Sequence, residues 1–410
     1  MKKLLFILIT LLSTFGFAQT YQTGTITLTF NDASRTGGFG SGGGAGRQIQ
    51  TEVYYPATVA GSNVAVASGS FPVVVIGHGF VMAWDSYDNI YSSLTKQGYI
   101  VALPRTEGGF SPSHNDFGLD EALVANRLLQ LNTTNTLAPI FIGKVAQKSA
   151  IGGHSMGGGA SFLGASNNSS ITCLFNFAAA QTNPRSSQAA KTITIPTLII
   201  GGEKDCVAPN AANQNTMWDS TSSNKKFEVV IKNITHCDFG NGTNTNCVFG
   251  QNSSGCASTL TNTLALKLYM NFLNPFLAAN LKNDCIEATR FMDSINLSQV
   301  IFSKKILGSM ACIATGLSKY TINDRVSIYP NPTTGMLTVE LEMINGGDAK
   351  IEITNTLGQV IFTLSGVEGQ TTSTQQSKTF LNIKELNNDI YFLHIYKNNS
   401  LIETKKIIKE

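Results

Sequence analysis

Residues 149–166 read SAIGGHSMGGGASFLGAS, and this stretch decides the fold. SAIGG is a short apolar run of the kind buried inside a parallel sheet, and the residues from 156 to 166 suit a helix. Between them stands Gly153-His154-Ser155-Met156-Gly157, a G-x-S-x-G at a strand-to-helix junction. So tight a turn leaves no room for side chains on either flank of the serine, hence the glycines. Its strained backbone lifts the hydroxyl clear of the sheet and aims a helix N-terminus at a reacting carbonyl. In a chain with 38 glycines the bare pattern is weak, so its position between strand and helix carries the argument.

The same rhythm continues on both sides. Unbroken apolar runs at 72–77 (PVVVIG), 99–104 (YIVALP), 171–178 (ITCLFNFA) and 196–202 (PTLIIGG) alternate with helical patterns at 85–97, 117–131, 156–166, 211–220 and 258–273, and 226–233 (KFEVVIKN) adds a strand. Continuous β-branched runs separated by helices predict an α/β, doubly wound, mainly parallel sheet. Upstream, 22–31 and 48–55 alternate as a half-exposed hairpin, joined through GGFGSGGGAG at 37–46. That link lacks a Walker lysine and opens no helix, so it reads as a flexible surface loop and not a phosphate cradle.

Beyond about residue 285 the strand–helix rhythm stops, and 319–410 predicts a small all-β sandwich of short alternating strands with Pro, Gly and Asn at the turns. The first residues, MKKLLFILITLLSTFGFAQT, place two lysines before a short apolar run and small residues before Gln19. This is the pattern of a secretory signal cut after Ala18. The chain therefore divides into a signal at 1–18, a catalytic domain at 19–284, a disulfide-tied extension at 285–318 and the sandwich at 319–410. A formal charge of +3 without a basic stripe excludes nucleic acid as a partner. None of the seven cysteines has zinc spacing, and no metal is expected.

Chain order then selects the partners of Ser155, because this architecture supplies an acid and then a base from later loops at the carboxyl edge of the sheet. Asp205 follows PTLIIGG, and His236 follows KFEVVIKN. Of the five histidines, His78, His114 and His154 precede the serine and His394 lies in the C-terminal unit, which leaves His236 as base. Glu203 and Asp238 stand in reserve as acids. The oxyanion of an acyl-transfer intermediate needs two backbone N–H donors. Met156, after the serine, supplies one, and Phe80 in the Gly77-His78-Gly79-Phe80 loop supplies the other.

The stretch from about 70 to 275 resembles the bacterial cutinases and poly(ethylene terephthalate) hydrolases, within the dienelactone-hydrolase-like group of α/β-hydrolases. VVVIGHGF, GHSMGGGAS, IPTLIIGGEKDCVAP and MWDSTSSNKKFEVVIKNITHCDFG carry the resemblance. It implies Ser155, Asp205 and His236 as a triad, Phe80 and Met156 as oxyanion hole and acyl pocket, and Val207 as an apolar wall. One departure bears on substrate. The loop in which that family carries a tryptophan against an aromatic acid here reads AAAQTNPRSSQ, with no aromatic.

The C-terminal unit resembles the sorting domains of type IX secretion. The carrying residues are Tyr329-Pro330-Asn331-Pro332 with Gly335, the Asn355/Gly358-Gln359-Val360 turn, Ile390-Tyr391-Phe392-Leu393, and Lys405, Lys406 and Lys409. Asp389 replaces the usual glycine before the IYFL strand. Export permits disulfides. Cys206 follows Asp205 and Cys237 follows His236 directly, so a Cys206–Cys237 bridge is expected to clamp acid to base. Cys247–Cys256 and Cys285–Cys312 are then the simplest remaining pairs, and Cys173 reads as a buried free thiol.

Together these readings predict an exported, monomeric, cofactor-free serine carboxylester hydrolase for soluble or polymeric esters, handled on export by the type IX machinery. The alternatives are a catalytically silent binding protein on the same fold and a chlorophyllase- or dienelactone-type hydrolase of small esters. A peptidase would need an added cap or propeller domain for peptide selection.

Overall fold

The structure, a computed structural model, describes residues 21–133, 135–310, 325–343, 349–355, 360–367, 375–397 and 400–410. The expected signal at 1–18 lies outside the described residues. The chain divides into two compact units, residues 1–313 and 314–410.

The first unit is built on one mixed sheet. Its longer strands in chain order are β1 (Gln22–Asp32), β2 (Arg47–Ala57), β3 (Phe71–Gly77), β4 (Ile100–Pro104), β5 (Val145–His154), β6 (Cys173–Phe177), β7 (Thr197–Gly202), β8 (Lys226–Ile231) and β9 (Ile301–Leu307), and the two-residue strands Gly38–Phe39 and Gly61–Ser62 complete it. Their spatial order is β9-β8-β7-β6-β5-β3-β4-β2-β1. The run from β4 through β3, β5, β6 and β7 to β8 is parallel, and β1, β2 and β9 add antiparallel edges.

Helices α1 (Asp88–Lys96), α7 (Asn262–Leu281) and α8 (Cys285–Leu297) cover one face, where Phe175, Phe227, Phe272, Phe276 and Phe291 pack together. Helices α2 (His114–Gln130), α3 (Met156–Ala165), α4 (Ser186–Ala190) and α5 (Gln214–Ser220) cover the other, over Val75, Ile151, Phe162 and Ile199. Burial on both faces is why these strands read as unbroken apolar runs. Among the described residues no helix is long and apolar enough to cross a membrane.

Three sequence readings change. The segment from 285, expected as an extension beyond the catalytic domain, belongs to the sheet unit: Phe291 and Ile295 of α8 are buried in its core, and β9 pairs along β8. α7, expected to end at 273, runs through Pro275 to Leu281. Proline removes one ladder bond, but Phe276, Leu277 and Leu281 beyond it are buried, and that burial holds the helix together. The Gly-rich link folds back on the sheet. Gly38-Phe39 pairs in parallel with Gln48-Ile49, and at Gly38 (φ 85°) a Cβ would overlap the Gln48 carbonyl.

The second unit holds two antiparallel sheets. β10 (Arg325–Tyr329), β11 (Met336–Met343) and β14 (Gln375–Asn382) form one, in the order β10-β11-β14. β12 (Ala349–Thr354), β13 (Val360–Val367), β15 (Ile390–Lys397) and β16 (Ser400–Ile408) form the other, in the order β13-β12-β15-β16. Leu337, Val339, Ile351, Ile353, Leu393 and Ile395 pack between them as a sandwich core.

Candidate active site

Parallel pairing brings the loops of the site to one edge. Gly77 of β3 is the register partner of Gly153 of β5, His154 that of Phe177 on β6, and Gly202 of β7 that of Ile231 on β8. The loops that follow these strands therefore emerge side by side. Ser155, between β5 and α3, takes a left-handed conformation (φ 54°, ψ −116°) that an L-residue holds only when its surroundings over-determine it. Its N–H donates to the Phe177 carbonyl at 3.0 Å, and its carbonyl accepts from Gly159 and Ala180 at 3.0 and 2.9 Å. The flanking glycines are sterically required: a Cβ at Gly153 or Gly157 would overlap Gly77.

His236 opens a short 3-10 turn, His236–Phe239, capped reciprocally by Thr235 and Asp238. Its Nε2 lies 2.9 Å from Ser155 Oγ and its Nδ1 2.8 Å from Asp205 Oδ2. Asp205 Oδ1 accepts from the Val207 and Ala208 N–H groups at 3.0 and 2.8 Å, which locks the carboxylate rotamer. All three side chains are buried. The reserve acids are engaged elsewhere: Glu203 accepts from Asn233 N at 2.9 Å, and Asp238 from its own cap, Thr235.

Met156 is the first residue of α3, so its N–H belongs to the unpaired donors of the helix N-terminus. The loop carrying Phe80 is tied to the same helix by Gly157 N–H to the His78 carbonyl at 3.0 Å. Met156 is buried, whereas Phe80 and Val207 are 49% and 43% exposed. Large apolar groups so open to solvent, on loops at the same sheet edge as Ser155, give the candidate site an accessible apolar rim. Phe110, 83% exposed, extends it, edge-on to Phe80 at 6.5 Å between ring centroids. Sequence reading missed Phe110; the available signal was an aromatic among the turn residues of EGGFSPS just after β4. That loop is anchored below by Arg47, which pairs with buried Asp120 at 2.7 Å and Glu107 at 2.6 Å.

The expected Cys206–Cys237 bridge is not formed. Cys206 pairs with Cys256 and Cys237 with Cys247, which also replaces the expected Cys247–Cys256 pair. The reason is α6 (Thr245–Ser253), which returns over both loops, with Gln251 Oε1 accepting from Cys237 N at 2.8 Å. The disulfides thus tie the Asp205 loop and the His236 loop to this segment, while a hydrogen bond between the two side chains joins the loops directly. Cys173 is buried and has no disulfide partner among the described residues. Cys285 is disulfide-bonded, and its expected partner Cys312 lies outside the described residues.

His154, between the elbow glycine and Ser155, is fully buried. Burial, then the neighbouring His236, pushes its imidazole well below the usual histidine range, so it is neutral. His78 is also buried, with ring nitrogens 2.9 Å from the Thr106 and Gly79 carbonyls. His114 accepts from Asn183 N at 3.1 Å.

A family model described as PET hydrolase-like matches residues 18–253, and one described as a secretion system C-terminal sorting domain matches residues 327–410. Cutinase est1 of Thermobifida alba is 24% identical over 216 residues, which cover 52% of this chain and 64% of that protein.

Proposed function

The chain belongs to the PET hydrolase-like family, and from that premise we propose that it hydrolyses carboxylic esters through Ser155 as nucleophile, His236 as base and Asp205 as the group that orients the imidazole. The observation that carries the reading is the hydrogen-bonded line Ser155–His236–Asp205, at 2.9 and 2.8 Å, at the end of a strained elbow.

His236 takes the Ser155 proton as Oγ attacks the ester carbon. The Met156 and Phe80 N–H groups stabilise the tetrahedral oxyanion, and the proton passes to the departing alcohol. Water, deprotonated by the same imidazole, then cleaves the acyl-enzyme. Asp205 accepts Nδ1–H throughout and so holds Nε2 free for the serine. The rim of Phe80, Phe110 and Val207 suits an apolar acyl or polymer chain. The loop at 178–188 supplies no aromatic, which favours soluble or aliphatic esters over aromatic polyester.

The chain carries a type IX sorting domain at 327–410 and is exported, to the medium or the cell surface. On our reading residues 1–18 are removed as a signal peptide, and the unit ending at 313 holds the whole catalytic apparatus.

The test is covalent labelling by an organophosphonate, followed by a panel of p-nitrophenyl esters of rising acyl length, a triglyceride and polyester films. Labelling at Ser155 with ester turnover is expected. A folded protein that is neither labelled nor active would favour a silent binding protein.

A further inference from the structure

Three buried hydrogen bonds run in series behind the candidate site. Gly79 N–H donates to Tyr87 Oη at 2.9 Å, Tyr87 Oη lies 2.9 Å from His154 Nδ1, and His154 Nε2 lies 3.0 Å from the carbonyl of His236. We propose that Tyr87 and His154 are positioning residues, a strut that fixes the oxyanion loop relative to the base; this rests on the functional reading above.

The end groups dictate the proton order. An amide N–H only donates and a carbonyl only accepts, so the one phenolic proton goes to Nδ1 and His154 carries its own on Nε2. Met82 Sδ, 3.3 Å from Tyr87 Oη, competes for that proton only as a weak acceptor. A neutral His154 is required, because an imidazolium has no acceptor for the phenol. Burial supplies that neutrality.

Each end of the strut is a backbone group adjoining the chemistry. Gly79 precedes Phe80, the candidate oxyanion donor, and the His236 carbonyl belongs to the base itself. His154 precedes Ser155. Tyr87 and His154 are both fully buried, so neither meets substrate. A Leu–Phe pair would fill the same space without tying the two backbone ends. The alternative, a histidine and tyrosine that merely satisfy each other in the core, predicts a loss of stability but no loss of rate in the folded fraction.

The test uses the full chain, with kcat counted per phosphonate-titrated serine so that unfolded protein drops out. Tyr87→Phe and His154→Leu should each lower kcat for a p-nitrophenyl ester by about tenfold or more, with KM within about twofold, since a displacement of about 1 Å costs up to about a hundredfold. His154→Gln offers an acceptor and a donor spaced much like the two ring nitrogens, and should recover most of the rate lost in His154→Leu. If Tyr87→Phe keeps kcat within twofold, or Gln rescues no better than Leu, the strut is wrong. Should His154→Leu fail to fold, Tyr87→Phe decides alone. Imidazole nitrogen NMR of the wild type reads the strut apart from turnover: His154 should be protonated on Nε2 and accepting at Nδ1 at neutral pH. The opposite tautomer would overturn it, whereas absence of Ser155 labelling would overturn the functional reading instead.

Discussion

Cys206, directly after Asp205, is bonded to Cys256 at a Cα–Cα distance of 6.3 Å, and so hangs the Asp205 loop from the turn just beyond α6. The start of the same helix holds the base loop through Cys237–Cys247.

Reduction should therefore loosen acid and base together. The two bridges close loops of 50 and 10 residues, for which the chain-entropy model gives about 4 and about 3 kcal/mol. We expect Cys247→Ser/Cys256→Ser to melt earlier and to lose activity below its own melting point. Peptide mapping of the unreduced protein checks the pairing, and a recovered 206–237 crosslink would contradict it.

Removal of the nucleophile or its base should abolish turnover in folded protein. By analogy with other serine hydrolases, Ser155→Ala and His236→Ala should each lower kcat by about a millionfold, and Asp205→Asn by about ten-thousandfold. Kinetics on variants with wild-type circular dichroism provide the measurement. Activity within tenfold of wild type in either of the first two variants would reject the assignment.

Phe110 should matter for long substrates only. Its exposed ring stands edge-on to Phe80 and enlarges that apolar surface. Losing about half of a phenyl group's burial costs about 1.4 kcal/mol, so Phe110→Ala should raise KM about tenfold for long-chain esters and leave acetate turnover unchanged. An equal effect on both acyl lengths would place Phe110 elsewhere in the reaction.

Glu121, on α2 beneath Gly77, has both carboxylate oxygens buried without a hydrogen-bond partner among the described residues. Burial, then the charge on Asp120, pushes its carboxyl well above the ordinary 4.5. The folded state therefore holds this proton more tightly than the unfolded chain. Its contribution is fully present below about 4.5 and is lost as pH rises through the folded value. Denaturant titrations at pH 5 and pH 8 should show a larger fall in stability for wild type than for Glu121→Gln. An identical fall in both would mean that this group does not carry the dependence.

Much of the architecture was legible because its signals are local. Buried parallel strands must be apolar on both faces, so PVVVIG and PTLIIGG announce themselves. The elbow needs glycine where side chains would strike Gly77, and that need is written at 153 and 157. The residues meeting at Ser155 follow from strand order, because parallel strands of matched register deliver their loops to one edge.

The tertiary structure alone decided what comes back over that edge. Adjacency in sequence put Cys206 and Cys237 beside Asp205 and His236, but sulfur pairing depends on which segment lies within reach, and α6 with the turn after it reaches both. The end of α7 was equally hidden. Pro275 is a local stop signal, overruled by the burial of Phe276, Leu277 and Leu281 against distant strands. His154 shows the same limit, since its partners Tyr87 and the His236 carbonyl are 67 and 82 residues away. Side-chain type and turn chemistry are properties of a few neighbouring residues, whereas a hydrogen bond or disulfide between loops exists only once packing has brought remote segments to within a few ångströms.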